Sequence, residues 1–249
     1  MFEKLAEMEY PGRVIIIGQN SSGLAVALYA ITGRSESSQA RRLVISDDHK
    51  SIVVQVTDED LLKKGNPDLL IYPAIILKDK HVIVSNGKQT DDIAKVLDSN
   101  VVKRFVDPKD ILEMGLKSYT YEPDDPNFTP RISGCNYDGD ISFSIIKRIK
   151  CGKGEGEEKI YYNFEPFEGE GKMIATYTGI NIDPLPSFEG EPIEIELNFN
   201  TVKEAVEAAY RALGPQGSKP DFRVSVAGIS YNHGDPHFRE VYIKNRHDL

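Results

Sequence analysis

The alternation of apolar and polar positions along the chain predicts mostly β-structure. The runs "RVIIIG" (Arg13 to Gly18) and "LAVALYAITG" (Leu24 to Gly33) flank "QNSSG", whose glycine and small polar residues suit a hairpin turn. "RLVISDD" and "SIVVQVTD" flank "HK" in the same way, and "DLLIYPAIIL" and "HVIVSNG" flank "KDK". Three hairpins in succession read as an antiparallel meander rather than alternating parallel units. Two helices follow. "TDDIAKVLDSN" opens on a Thr/Asp cap and sets Ile93, Val96 and Leu97 along one face, while "DPKDILEMGLKSY" opens on Asp107 with Pro108 at the first helical position. Strands resume with "ISGCNY", "DISFSIIKRIK", "KIYYNFEPF", "KMIATYTG" and "IEIELN". "TVKEAVEAAYRAL" spaces Val202, Ala205, Val206, Ala209 and Leu213 as a helix ending before Gly214-Pro215, and "FRVSVAGISY" and "REVYIKN" close the chain. The glycines and charges of "CGKGEGEEK" (Cys151 to Lys159) predict a mobile loop or hairpin tip.

Two blocks of antiparallel strands with a few amphipathic helices predict an α+β architecture, sheet packed on sheet with helices on the outer faces. The 249 residues are expected to form one domain, 1–249, with no internal repeat. A hydrophobic fraction of 40%, and no apolar run near the roughly 18 residues of a membrane span, predict a soluble chain with no membrane partner. The net charge of -9 argues against nucleic acid, whose binding draws on basic patches that release counterions. Any anionic ligand must therefore meet a local cluster of arginines. Two cysteines, Cys135 and Cys151, without zinc-type spacing, suit a reduced cytoplasmic setting, and "MFEKLAEMEYPGR" has no apolar core of signal-peptide length.

Four stretches concentrate groups that bind or react. "TGRSESSQARR" (Thr32 to Arg42) offers three arginines and four hydroxyls within eleven residues. Guanidinium forks and hydroxyl donors suit a phosphate, although a solvated polar loop has the same composition. In "NPDLLIYPAI" Tyr72 precedes Pro73, which lacks a backbone donor and marks an edge strand or bulge where a side chain can be re-aimed; a core tyrosine is the plainer alternative. "VSNGKQTDD" puts Asn86, Gly87, Thr90 and Asp91 where a strand ends, and a tight turn plus helix cap accounts for it without a ligand. "SYTYEPDDPNFTPRISG" is a long loop carrying Glu122, Asn127, Thr129 and Arg131, stiffened by three prolines. Walker, dinucleotide-binding, His-Glu-x-x-His and Gly-x-Ser-x-Gly motifs are absent from the sequence, and "NHGDPHF", with His233 and His237, reads as a hairpin turn before a metal site.

Taken in order, "YPGRVIIIG", "TGRS", "NPDLLIY", "VSNGKQTD", "YEPDDPNFTPRI" and "PLPSFEGEP" resemble the archaeal-type IMP cyclohydrolase family and its bacterial relatives. The likeness is close from Tyr10 to Arg131 and returns at Pro184 to Pro192. It implies a four-layer α-β-β-α sandwich of the N-terminal-nucleophile-hydrolase type without self-processing. The sequence agrees, since no Ser, Thr or Cys precedes Ser21. It further implies ring closure of formamidoimidazole carboxamide ribonucleotide to inosine monophosphate with loss of water, the last step of purine synthesis. The implied partner is that small purine ribonucleotide, with no metal or organic cofactor, and the likeness is compatible with a homo-oligomer.

That reaction needs near-attack geometry, donors at a developing oxyanion, and a proton-transfer group. On the resemblance, the catalytic residues are Tyr72 as donor or acid, Glu122 as the carboxylate at the carboxamide, and Arg41. Arg34, Ser35 and Arg41 bind phosphate; Asn86, Gly87, Thr90 and Asp91 form one corner of the pocket; Thr129 and Arg131 line the opposite wall. One departure bears on activity. Relatives carry Arg-Asn or Asn-Arg after the "RS" pair, where this chain has Gln39-Ala40 before Arg41-Arg42. If the family's arginine falls at Gln39, the chain is a purine-ribonucleotide-binding protein without catalysis; if it falls at Arg41, the function is intact.

Overall fold

The structure is a computed structural model, which describes residues 1–58, 71–78, 81–98, 107–151, 154–215, 217–232 and 237–248. Two antiparallel sheets dominate the described residues. One has six strands and the other seven, the seven following one another in sequence order. Strands β1 (Arg13–Gln19) and β2 (Ala25–Thr32) form the first hairpin, β3 (Arg41–Ile45) and β4 (Ser51–Val56) the second, and β5 (Tyr72–Lys78) and β6 (His81–Ser85) the third. The expected meander therefore begins one hairpin late. The chain changes sheets after β2, at Gly33–Ala40, where the short helix α2 (Glu36–Gln39) is set by a capping box between Ser35 and Ser38. Periodicity could not reveal this, because the first hairpin is as apolar as its neighbours and the switch spans only a few polar residues.

The meander continues through β7 (Arg131–Tyr137), β8 (Asp140–Cys151) and β9 (Gly154–Phe164), with the glycine-rich "CGKGEGEEK" at the end of the β8–β9 hairpin, as the hairpin-tip alternative expected, and most of it paired as strand. Strands β10 (Glu170–Ala175), β11 (Ile193–Glu196), β12 (Arg223–Tyr231) and β13 (Glu240–Asn245) complete the first sheet around the β1–β2 hairpin. One apolar core draws on both sheets, with Ile15 and Ile17 of one and Ile52, Ile75, Ile132 and Phe143 of the other fully buried. At Gly134 an added Cβ would lie 2.6 Å from Ile17 Cδ1 of the facing sheet, so glycine leaves room there for the Ile17 side chain. Pro73 marks a bulge, as its sequence suggested. Pairing steps from Ile52–Ile75 to Val53–Pro73, so Ala74 and Ile75 are both buried and Tyr72 turns into the core.

Helices α3 (Gln89–Val96) and α4 (Pro108–Gly115) pack on each other and on β5 to β9, burying Ile93, Ile111 and Leu112 against Ile83, Cys135 and Ile146. Asp107 caps α4 through Lys109 N with Pro108 beside it, as the sequence predicts. Helix α3 starts one residue earlier than expected and has no side-chain cap: Thr90, inside the helix, donates to Gly87 O at 2.7 Å. Helix α5 (Val202–Ala212) lies against β12 and β13, and α1 (Glu3–Ala6) against α5. Thr201 caps α5 by accepting from Glu204 N at 3.2 Å, so Thr201→Ala is expected to lower stability by about 1 kcal/mol, or about 2–4 °C in a thermal melt. Among the described residues no helix is long and apolar enough to cross a membrane.

Candidate active site

Where β1, β3 and the β2–β3 connection meet the loop before β7, they enclose a cavity of about 330 Å³. That is within the range of small-molecule sites. Arg13 and Arg41, the first residues of β1 and β3, both line it, so rigid strands aim two guanidiniums into one space. Among the described residues neither makes an ion pair, and Nε of both and Nη1 of Arg41 are buried without a hydrogen-bond partner. Burial, and then the charge of Arg13, push the Arg41 pKa down. Two like charges side by side, Arg41 buried and Arg13 half-buried, favour an anion between them. Closer to the exterior, Arg34, Ser35, Ser37 and Ser38 line the same cavity, with Ser35 Oγ lying 3.2 Å from Ser37 Oγ and 3.0 Å from Ser38 Oγ. Arg34 donates to Asn181 Oδ1 at 3.1 Å and pairs with Asp183 at 2.8 Å.

The loop Ser118 to Pro130 supplies the acidic wall. Its path is fixed by Glu122 N donating to Thr129 O at 2.9 Å and Thr129 N to Asp124 Oδ1 at 2.6 Å. Thr129 also bonds Asp124 through its hydroxyl and meets Tyr177 Oη at 2.7 Å. Tyr177 stacks on Tyr10, and both line the cavity. Glu122 is nearly buried, with its carboxylate 3.4 Å from Arg131 Nη1. Burial raises its pKa to about 7, with a further push from Asp124, against the pull of Arg131, Arg13 and Arg41. A carboxyl with that pKa both accepts and releases protons near neutrality, the property an acid–base group needs.

The structure thus gathers Arg34, Ser35, Arg41, Asn86, Glu122 and Thr129 around one cavity. Asn86 is used internally as well: it donates to Pro130 O and accepts from Ile132 N, each at 2.9 Å, clipping β6 to β7. The remaining expected residues stand back from the cavity. Tyr72 is buried with its hydroxyl 3.0 Å from that of Tyr29, because the Pro73 bulge turns it between the sheets. Arg131 lies behind Glu122, donating to Thr120 O at 2.8 Å and Gln89 Oε1 at 3.0 Å. Gly87 has no room for a side chain, since a Cβ would meet Gln89 and Arg131, and Thr90 bonds back to Gly87 O and to Ser85. Asp91, one position further on α3, faces a different hollow, beside Lys50, Pro73 and Lys78.

Gln39 points away, donating to Gly33 O at 3.1 Å, so Arg41 is the guanidinium that this segment presents to the cavity. Arg13, Tyr10, Asp124, Tyr177 and Leu185 are cavity residues to which the sequence reading gave no role. The signal for Arg13 was a charged residue leading an unbroken apolar run inside "YPGRVIIIG". A second hollow, also of about 330 Å³, is lined by Glu165, Glu170, Glu194 and Glu196 with Lys172, a charge balance that repels an anion. Among the described residues no group of three His, Cys, Asp or Glu could hold a metal ion; of "NHGDPHF", residues 233–236 lie outside the described residues.

A family model described as IMP cyclohydrolase-like protein matches residues 10–235. The IMP cyclohydrolase of Thermococcus kodakarensis is 30% identical over 200 residues, covering 80% of this chain and 84% of that protein. The IMP cyclohydrolases of Methanopyrus kandleri and Methanocaldococcus jannaschii are 28% and 26% identical, over 72% and 84% of this chain and 89% and 96% of theirs. Among solved structures, an Anbu (Gly-1) mutant from Hyphomicrobium sp. strain MC1 covers 94% of this chain and is itself covered to 88%, at 8% identity and a TM-score of 0.36, too slight a likeness to bear on the fold. With the family match running through every segment that lines the cavity, this chain belongs to the IMP cyclohydrolase-like protein family.

Proposed function

We propose that the chain is an IMP cyclohydrolase, closing formamidoimidazole carboxamide ribonucleotide to inosine monophosphate with release of water at the end of de novo purine biosynthesis. The observation that carries this reading is a single cavity joining two guanidiniums, neither ion-paired among the described residues, to a carboxyl of pKa about 7. The curated relatives bear the same activity in their names. In the first step the carboxamide nitrogen attacks the formyl carbon; a C–N bond forms, the carbonyl pair moves to oxygen, and the Glu122 carboxylate takes the proton that nitrogen sheds. The oxyanion, held by Arg41, takes a proton from solvent to become a carbinol. In the second step the C–O bond breaks as Glu122 returns its proton to the departing oxygen, and the formamido N–H proton passes back to solvent, leaving the new C=N bond. The atoms lost are one oxygen and two hydrogens, one water. Arg34 and the serines beside it bind the phosphate, Asn86 and Thr129 face the base and ribose, and Arg131 and Gly87 hold the wall behind Glu122. Tyr72 acts from beneath the cavity, its hydroxyl held 3.0 Å from that of Tyr29, whose pKa burial raises.

The same reading makes residues 1–249 one cytoplasmic domain, a four-layer α-β-β-α sandwich of the N-terminal-nucleophile-hydrolase type. Its support is that α3 and α4 pack on one sheet and α5 on the other while both sheets share a core. The activity is tested by mixing purified protein with the formamido ribonucleotide and following the ultraviolet change as the second ring closes. Binding of inosine monophosphate without turnover would replace the enzyme by a binding protein. Arg34→Ala is expected to raise KM about 10- to 100-fold with kcat changed less than about threefold, since a charge-assisted bond to phosphate is worth roughly 1.5–3 kcal/mol in ground and transition states alike.

A further inference from the structure

We propose that Arg13 is a second catalytic residue of this site, its guanidinium joining that of Arg41 on the formyl oxygen as negative charge develops there. The inference rests on the ring-closure reading above and adds to it a residue which that reading leaves idle. Arginines around the cavity fall into two groups. Arg34 is paired with Asp183 and Arg131 with Glu122. Among the described residues Arg13 and Arg41 have no carboxylate within ion-pair distance, and Arg13 Nε, Arg41 Nε and Arg41 Nη1 are buried with no hydrogen-bond partner. An unpartnered buried guanidinium is costly, and a fold keeps one where a ligand or a reaction supplies the missing negative charge.

Two anions compete for that role, the phosphate and the reacting oxygen. The acidic wall separates them. Glu122 is close enough for both Arg13 and Arg41 to act on its charge, and Asp124 acts on it too. A phosphate dianion placed among these carboxylates would be repelled, whereas Arg34 and three serine hydroxyls offer it charge and donors towards the exterior. The reacting oxygen belongs beside Glu122, because the group that takes the nitrogen's proton and returns it to the leaving oxygen must reach both atoms. Arg13 is also held as an oxyanion donor should be. Its N donates to Thr176 Oγ1 at 3.1 Å and its O accepts from Thr176 N at 2.9 Å, so the side chain starts from a strand clamped on both sides. Donors preorganised for charge that exists only during reaction act on kcat and leave ground-state binding nearly unchanged.

The test compares parent, Arg13→Gln and Arg13→Ala for turnover of the formamido ribonucleotide and for equilibrium binding of inosine monophosphate, with Arg13→Lys as the variant that keeps charge if either neutral form does not fold. For Arg13→Gln, kcat is expected to fall about 100- to 1000-fold, the effect of losing one oxyanion donor, while the Kd for inosine monophosphate changes less than about threefold. Arg13→Lys loses the second nitrogen of the fork and is expected to retain only part of kcat with the same Kd. Added ethylguanidinium should restore turnover to Arg13→Ala in a saturable way, which a merely structural role would not allow. A Kd weakened about 100-fold with kcat preserved would make Arg13 a phosphate ligand and overturn the proposal. Unchanged kcat in Arg13→Gln, or kcat lost in Arg13→Lys with no response to ethylguanidinium in Arg13→Ala, would overturn it too. A parent that binds inosine monophosphate without turnover removes the functional reading itself, a result distinct from an active parent with an indifferent Arg13.

Discussion

Glu122→Gln is expected to lower kcat by about 10²- to 10⁴-fold, the range for loss of a positioned acid–base group, and to change KM less than about threefold. The amide keeps the size of the carboxyl and still accepts from Arg131 Nη1, which lies 3.4 Å from Glu122 Oε1, so the wall stays in place while proton transfer is lost. Its pH dependence identifies the group. With the Glu122 pKa raised to about 7, chiefly by burial, the free carboxylate is the minor form below that pH. Because the carboxylate must take the first proton, kcat/KM should climb about tenfold per pH unit below 7 and level off above it. The substrate's phosphate loses its second proton near pH 6 and adds an inflection of its own. Only the inflection near 7 should vanish in Glu122→Gln, measured across pH 5–9 by the ultraviolet change. A profile that keeps it would remove Glu122 from the proton-transfer role.

The sequence made hairpins easy to see and their partition hard. Alternating apolar runs broken by "QNSSG", "HK" and "KDK" identify strand pairs because each turn is local, and all three pairs form. Which sheet each pair joins depends on contacts across the chain, such as β12 beside β2, which a local pattern does not encode. The site divides along the same line. Arg34, Ser35, Arg41, Asn86 and Thr129 lie within a few residues of a strand end and Glu122 in a proline-stiffened loop, and polar groups in such places are conspicuous. Arg13 is hard to see because a charged residue at the head of an apolar run reads as solubilising, although it lines the cavity. Thr90 and Asp91 share the "VSNGKQTD" motif with Asn86 but sit on α3. A helix rotates about 100° per residue, so their neighbours in space differ. Tyr72 shows the reverse: the Pro73 bulge was legible, but not the direction in which it would turn the ring.

Gly12→Ala carries the largest expected effect on stability, about 2–5 kcal/mol, or roughly 4–20 °C in a thermal melt of a chain this size. Two costs combine. Gly12 has φ of +74°, a left-handed conformation that costs an L side chain roughly 1–2 kcal/mol. Its Cβ would also lie 2.1 Å from Thr176 Oγ1 and 2.6 Å from Tyr177 Cδ2, overpacking worth about 1–3 kcal/mol more. Neither neighbour can yield freely. Thr176 Oγ1 accepts from Arg13 N and donates to Pro11 O, both at 3.1 Å, and Tyr177 is held by Thr129 and stacked on Tyr10. Gly190 supplies the internal control: its φ is +84° but nothing lies within 4 Å of an added Cβ, so Gly190→Ala bears the conformational cost alone. The difference between the two variants in urea unfolding isolates the clash. If Gly12→Ala costs no more than Gly190→Ala, the contact between this turn and the Thr176–Tyr177 wall is slack. If it costs more and kcat falls with it, the turn that starts β1 sets the positions of Arg13 and Tyr177 together, and fold stability and the active site share one constraint.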